Sequence, residues 1–379
     1  MKNLEKKQQI IAMLNDGQSY DSIQKTLRVA RKTISDVKKE LTKAEDLVWI
    51  QSEVNEIKEK RKEKKAQQKV ELLTDILKVK EDMLEDFTKL KNVACRPIEI
   101  KSTKSSKWRE ATAVLVASDW HIEENVDPST INYLNEYNID IAKKRANKFF
   151  EGSVKLVKQM QMNQTIKNIV FAMLGDMISG YIHRELEENN TLSPTQALIE
   201  LRSIVVWWIK YLIDNTDCNI KVVCKFGNHG RTWEKIRIST GYKNSYEWMV
   251  YHFIAAEFEW NKRVEFIIEN WYHTYVKIHN TMTRFHHWDS ISYGGWVGWI
   301  TIPINKAVAA WNESIRADLD VFGHFHQLTD NKRFVVNGSL IWYGAYAQRI
   351  KAPLERPQQA FFLIDEKYGK TVFAPILVD

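Results

Sequence analysis

The chain has 379 residues, 44% of them hydrophobic and 27% charged, which is ordinary globular composition and enough length for two domains with a sizeable core. No apolar run approaches ~20 residues, so a membrane span is excluded, and the N-terminus lacks the apolar core and cleavage site of a secretory signal. The cysteines, Cys95, Cys218 and Cys224, are odd in number and without paired spacing, which argues against a disulfide framework or a cysteine zinc site and suits a reducing cytoplasm.

The formal net charge of +7 is unevenly placed. Lys and Arg outnumber Asp and Glu 26 to 19 over residues 1–110, whereas the remainder is balanced at 29 of each. A basic N-terminal module points to a polyanionic partner, and DNA is the expectation.

Residues 4–42 read as three short helices. Leu4, Ile10, Ile11 and Leu14 give the first an apolar stripe that Asn15-Asp-Gly17 ends. Ser19 caps a second, Tyr20–Leu27, and a third runs from about Arg31 to Leu41 with Ile34, Val37 and Leu41 inward. The pattern resembles a helix-turn-helix over residues 1–42. Arg31, Lys32, Thr33, Ser35 and Lys38 on the third helix would then meet phosphates and base edges. Residues 43–96 read as a long helical arm. Leu47, Ile50, Val54 and Ile57 step as a coiled-coil seam does, which would suit a homo-oligomer. The seam fails through the basic run Lys58–Lys65 and resumes from Val70. Either two helices pack back on each other or one helix has a solvated waist. Pro97 and Ser102–Ser106 make residues 97–110 a linker.

From residue 111 apolar strands alternate with helices, the pattern of an α/β sandwich. Strands are expected at Ala113–Ala117, Asn168–Leu174, Asn219–Phe226, Val264–Ile268, His273–Ile278, Thr283–His287, Leu319–Phe322, Phe334–Val336 and Ala360–Ile364. Helices are expected near Ile139–Gln161, Pro194–Ile213, Tyr246–Glu257 and Lys306–Ser314. Four strand ends carry the same chemistry: Asp119/His121, Asp176, Asn228/His229 and His324/His326. Asp119 and His121 would share one side of an extended chain, because side chains alternate with period two. Gly175, Gly227 and Gly323 precede three of the clusters and would permit the sharp turns that expose a ligand. Oxygen and imidazole donors without thiolate favour Mn²⁺, Fe or Zn²⁺ over Ca²⁺ or Mg²⁺.

These pieces stand in the order Asp119-Trp-His121, Gly175-Asp176, Gly227-Asn228-His229, a histidine in Phe285-His-His287-Trp, and Gly323-His-Phe-His326. In that order they resemble the calcineurin-like metallophosphoesterases, over about residues 111–379. Asn337-Gly-Ser339 with Gly344 is similar to that family's closing strand and turn. The likeness is to phage-encoded members, with distant kinship to SbcD-type nucleases.

The resemblance implies a four-layer α/β/β/α sandwich with two divalent ions, Mn²⁺ foremost and Fe or Zn²⁺ as alternatives. Asp119, His121 and His326 would bind one, Asn228, His287 and His324 the other, and Asp176 would bridge them; His286 is the alternative to His287. Two ions about 3.5–4 Å apart can stabilise both oxygens of an in-line displacement at phosphorus. His229 would steady developing charge or protonate the leaving oxygen, and Arg231 would bind a phosphate oxygen. The sequence departs from the family pattern at three places. No acid follows Gly175-Asp176 closely, Trp288 follows His287 where glycine is usual, and Gly230 stands where many members place an acid supporting the catalytic histidine.

The glycine-rich loop with Trp288, Trp296 and Trp299 reads as a lid or base-stacking platform. His183 and Glu185, Glu187 and Glu188 lie just past the Gly175-Asp176 loop and would be near substrate. The expected function is a two-metal phosphodiesterase acting on DNA. The alternatives are a DNA-binding or recombinase-accessory protein that uses the fold for contacts with phage or host recombination and replication proteins, or a phosphoesterase for nucleotides or phosphoproteins.

Overall fold

The structure is a computed structural model that describes residues 2–43, 59–60, 67, 99–101, 108–235, 237–289 and 300–379. Most of the expected arm and of its basic run, most of the linker, Trp296 and Trp299 lie outside the described residues. The chain divides into two compact units, Met1–Glu85 and Asp86–Asp379.

In the first unit α1 (Lys2–Asn15), α2 (Tyr20–Leu27) and α3 (residues 31–43) enclose a small core of Ile10, Ile23, Ile34 and Val37. Gly17 turns the chain at φ +72°, the Ser19 hydroxyl accepts from Ser22 N–H at 3.3 Å to start α2, and Arg28 ends it in a left-handed conformation. The three helices stand where the sequence places them.

The second unit is built on two six-stranded sheets. The first contains β2 (Glu110–Ala117), β3 (Thr165–Leu174), β4 (Asn219–Lys225), β5 (Val264–Ile268), β11 (Gln358–Asp365) and β12 (Gly369–Leu377). Its order is β12-β11-β2-β3-β4-β5, with β2 to β5 parallel and β11 and β12 antiparallel. The second contains β1 (Glu99–Ile100), β6 (Thr274–Ile278), β7 (Thr281–Phe285), β8 (Leu319–Phe322), β9 (Thr329–Asp330) and β10 (Phe334–Val336), ordered β1-β6-β7-β8-β10-β9.

Alternation in the strands sorts side chains into two layers. Val114 and Val116 of β2, Val170 and Ala172 of β3, and Val223 of β4 face Val276, Phe285, Val321 and Val335 of the second sheet. The opposite faces of the same strands (Ala113, Leu115, Phe171, Met173, Val222) pack under α4 (Ile139–Gln161), α6 (Pro194–Asn215) and α7 (Tyr246–Ala256). The outer face of the second sheet is covered by Ile304 and Val308 of α8 (Thr301–Trp311), against Phe322, Phe334 and Val336. The result is the expected four-layer α/β/β/α sandwich.

Three differences have local causes. Residues 99–100, expected in the linker, pair in parallel with β6 as an edge strand. Helix α8 begins before the expected Lys306, because Pro303 sits in its first turn, where a missing N–H costs nothing. Strand β12 was not expected, since Pro375 interrupts its pattern, but it is an edge strand that tolerates proline.

Candidate metal centre

The C-terminal ends of five parallel-running strands, β2, β3, β4, β7 and β8, meet on one side of the sandwich. Each delivers its cluster immediately afterwards. The turns are tight and left-handed. Asp119, His121, Asp176, His324 and His326 have φ of 57°, 47°, 52°, 75° and 55°, a region that non-glycine residues enter at a cost. Asp119 and His121 therefore lie past the end of their strand, and backbone reversal brings them together instead of strand alternation.

The glycines act in two ways. Gly175 turns at φ +86°, and a Cβ on it would lie 2.4 Å from Gly227 N, so the two loops touch backbone to backbone. Gly323 makes no left-handed turn; a Cβ there would lie 2.5 Å from an Asp119 carboxylate oxygen.

The donor atoms fall into three overlapping groups: Asp119, His121 and His326; His121, Asp176 and His229; and Asp176, His287 and His324. Within each the atoms lie within 4.8 Å of one another. His326 Nε2 stands 3.4 Å from Asp119 Oδ1 and 3.3 Å from His121 Nε2. His287 Nε2 stands 2.9 Å from Asp176 Oδ2 and 3.1 Å from Asn228 Oδ1. Three of the histidines have their other ring nitrogen occupied. His287 Nδ1 donates to Leu174 O at 2.7 Å, His121 Nδ1 meets Ser179 Oγ at 2.8 Å, and His229 Nδ1 donates to Ser179 O at 3.2 Å. Each ring so held turns its Nε2 lone pair to the centre, which is what a metal requires of a histidine. The donor set is all Asp, Asn and His, so these residues fit two divalent ions.

His286 is not among these groups. Its Nε2 faces Asp320 Oδ1 at 3.3 Å, and Asp320 also takes a two-pronged bond from the buried Arg284 at 2.6 and 3.1 Å. The structure brings His287, not His286, to the centre.

Burial shapes the titration. It lowers His229 and lowers His121 well below the usual imidazole range, and it takes His324 down to about 4, so these rings are neutral at neutral pH. Burial pulls on His287 as well, but the Asp176 carboxylate outweighs it and lifts the imidazole to about 10.

Several supporting residues were not singled out by their sequence context. Behind Asp119, Ser118 Oγ donates to its Oδ2 at 2.5 Å and accepts from Asn337 Nδ2 at 2.9 Å; Gln359 Oε1 accepts from the Ser118 amide. Asp119 itself accepts from His324 N–H at 3.0 Å. Ser179 joins His121 to Glu124 through its hydroxyl, 2.9 Å from Glu124 Oε2. Glu123 Oε1 accepts from Ser179 N and Gly180 N, both at 2.8 Å, and burial pushes its carboxyl up to about 8. Ser179 thus ties His121 to both acids, to Glu124 through its hydroxyl and to Glu123 through its amide. Gly175 and Gly180, which bracket Ser179 and both have positive φ, are the local signals; Glu123 and Glu124 carry none in sequence.

Arg231 is placed otherwise than expected. Its guanidinium donates to Asn228 O at 2.6 Å, to Trp233 O at 3.0 Å and to Glu234 O at 2.9 Å. It braces the loop after Asn228, because carbonyls of its own turn reach the fork first. Trp288 is fully buried against Phe322 and Trp311, a core residue and no platform. The exposed His183 ring stands edge-on to His229, 6.2 Å between centroids.

In the first unit Arg31, Lys32, Thr33 and Lys38 are exposed on α3 and Ser35 is half-buried. Arg31 pairs with Asp21 at 3.0 Å, and the cations of Arg31 and Lys38 flank the Tyr20 ring at 5.9 and 5.7 Å. Tyr20, Ser35, Lys38, Lys39, Thr42 and Lys43 line a shallow basic depression.

No family model and no curated protein sequence matches the chain. Among solved structures it is similar to Vps29 of Entamoeba histolytica complexed with Zn²⁺, at 12% identity over 70% of this chain and 99% of that one, with a TM-score of 0.26. It is also similar to a dimetal phosphatase from Danio rerio, at 9% identity over 71% of this chain and 99% of that one, TM-score 0.30. A third likeness is to the sulfate thiohydrolase SoxB of Thermus thermophilus, at 11% identity over 70% of this chain and 56% of that one, TM-score 0.31. These likenesses assign no activity.

Proposed function

We propose that the second unit is a two-metal phosphoesterase whose substrate is a phosphodiester in DNA, and that α3 supplies DNA contact. The observation that carries the hydrolase reading is the sharing of Asp176 and His121 among three donor groups. A lone ion needs one such group; overlapping groups suit two ions with a common ligand. Divalent ions held there would supply Lewis-acid polarisation of a phosphoryl oxygen and a more acidic water. Mn²⁺ fits the oxygen and imidazole donors, with Fe or Zn²⁺ as alternatives.

The chain's own residues do the rest. Asp119, His121 and His326 would hold one ion, and Asn228, His287 and His324 the other, with Asp176 between them. His229 is neutral at rest, with its Nδ1 proton on Ser179 O, so Nε2 is the atom that takes up a proton and returns it to the leaving oxygen. DNA as substrate is supported by the basic first unit and by the exposed cations on α3.

The test is hydrolysis of bis-p-nitrophenyl phosphate and of labelled single- and double-stranded DNA with and without Mn²⁺. Cleavage of both that is lost in Asp119→Asn and in EDTA is expected. Hydrolysis of the small diester but not of DNA would move the substrate to nucleotides or phosphoproteins; no metal-dependent hydrolysis of anything would sink the enzyme and leave a DNA-binding or recombinase-accessory role.

A further inference from the structure

Glu247 lies in the first turn of α7 and is wholly buried. One carboxylate oxygen accepts from Met177 N at 2.6 Å and the other from Gly227 N at 2.6 Å. Met177 follows the ligand Asp176, and Gly227 precedes the ligand Asn228. A single planar carboxylate therefore grips both ligand loops, one on each prong. It bonds neither ligand's side chain, so it acts through the backbone.

Position 230 explains why the acid comes from so far along the chain. Gly230 follows His229, and a Cβ on it would lie 2.7 Å from Glu247 Cγ and 2.9 Å from Cδ. Its backbone is not left-handed, so conformation alone does not demand glycine there. The three atoms nearest to that space are all of the Glu247 side chain. The start of α7 is fastened to the same spot, because Tyr246 N–H donates to Gly230 O at 2.8 Å and Arg231 and Ser245 form a bridge. An acid side chain on position 230 and the Glu247 carboxylate would thus compete for one site.

We infer that Glu247 is the positioning residue that fixes the separation of the Asp176 and Asn228 loops, supplying from α7 the carboxylate that position 230 lacks. The inference rests on the two-metal reading of the same centre. Outer residues that orient metal ligands typically cost 10–100-fold in metal affinity when lost, and that is the scale expected here.

The experiment measures Mn²⁺ stoichiometry and affinity by titration calorimetry and electron paramagnetic resonance on the full chain, with melting of the metal-free protein alongside. Glu247→Gln keeps the shape and one acceptor, and should weaken Mn²⁺ binding by about 10–100-fold. Gly230→Asp alone should weaken it as well, since two carboxylates then crowd one space. Gly230→Asp combined with Glu247→Ala should recover binding relative to Glu247→Ala alone, because the acid returns by the shorter route. A merely structural role would lower melting without changing affinity, and would give no rescue.

Wild-type affinity in Glu247→Gln overturns the proposal, as does a folded Glu247→Ala protein that Gly230→Asp does not rescue. Should Glu247→Ala fail to fold, Glu247→Gln decides alone. A wild-type chain that binds no Mn²⁺ overturns the two-metal reading itself, and Glu247's role with it.

Discussion

His229 and His252 show how far environment separates two histidines of one chain. His229 sits among the donor groups with its tautomer set by Ser179 O. Replacing it with Gln removes the proton carrier but none of the six side chains that would hold ions individually or the bridging Asp176. His229→Gln should lower turnover by about 10²–10⁴-fold, while Mn²⁺ affinity stays within a few-fold. Loss of metal binding in that variant would show that His229 is a ligand. His252 lies on α7, its ring 4.2 Å from that of Trp248 with Nε2 unpartnered, and burial takes it down to about 4. Its folded value is below the unfolded 6.5, so its contribution is present above pH 6.5 and is lost as pH falls towards 4. The ring is partly open to solvent, so the effect is on the order of 1–2 kcal/mol. Urea unfolding at pH 8 and pH 4.5 checks this: His252→Phe should narrow the difference between the two. An unchanged difference would show that His252 does not contribute to acid instability.

The elements divide into those that local pattern specifies and those that it cannot. Helix α4 buries Phe149, Phe150, Ser153, Val154 and Val157, a spacing of three and four that the sequence displays, and Asn138 caps it through Ile141 N–H at 3.0 Å. Its Phe150 stacks on Trp208 of α6 with centroids 4.9 Å apart and lies edge-on to Phe171 of β3. Phe150→Ala should therefore cost about 3–5 kcal/mol, read by denaturant unfolding, with metal affinity unaltered. A cost under about 1 kcal/mol would mean that the layer collapses to fill the gap. The donor residues that gather at the centre were legible for a different reason. They stand at strand ends in short motifs, and each motif marks its own residues. Most of the residues that support them were not, because Glu123, Glu247 and Gln359 act on partners tens to hundreds of residues away. A buried acid that accepts backbone N–H groups looks, in sequence, like any solvated Glu. The left-handed turns of Asp119 and His121 were equally hidden, since strand periodicity gives no notice of where it stops. The bracing bonds of Arg231 were hidden for the converse reason: its motif neighbours suggested phosphate, and nothing in sequence announced the carbonyls of its own turn.

At the scale of the whole molecule, charge and chemistry are segregated. The positive surplus lies in residues 1–110, and every donor of the three metal groups lies between Asp119 and His326. The chain also divides into compact units at Glu85/Asp86, with 19 Lys and Arg against 16 Asp and Glu before that division and the rest of the surplus in residues 86–110. The two sheets whose strand ends carry the donors take their first strands in the chain from β1 at Glu99–Ile100 and from β2, both beyond that division. Removing residues 1–85 should then leave Mn²⁺ affinity and hydrolysis of the small diester within about twofold of the full chain. DNA binding should respond differently. Contact by the exposed cations of α3 releases counterions, so the full chain should bind DNA with an affinity that falls steeply with salt, by about 0.9 in log–log slope for each phosphate neutralised. The truncated protein should lose most of that slope, and Lys38→Ala in the full chain should reduce it by about one phosphate's worth. Fluorescence anisotropy of a labelled duplex between low and moderate salt measures both. An identical slope in the full and truncated chains would assign DNA contact to the second unit and leave the first for assembly. Loss of small-diester hydrolysis on truncation would instead show that the centre depends on the first unit.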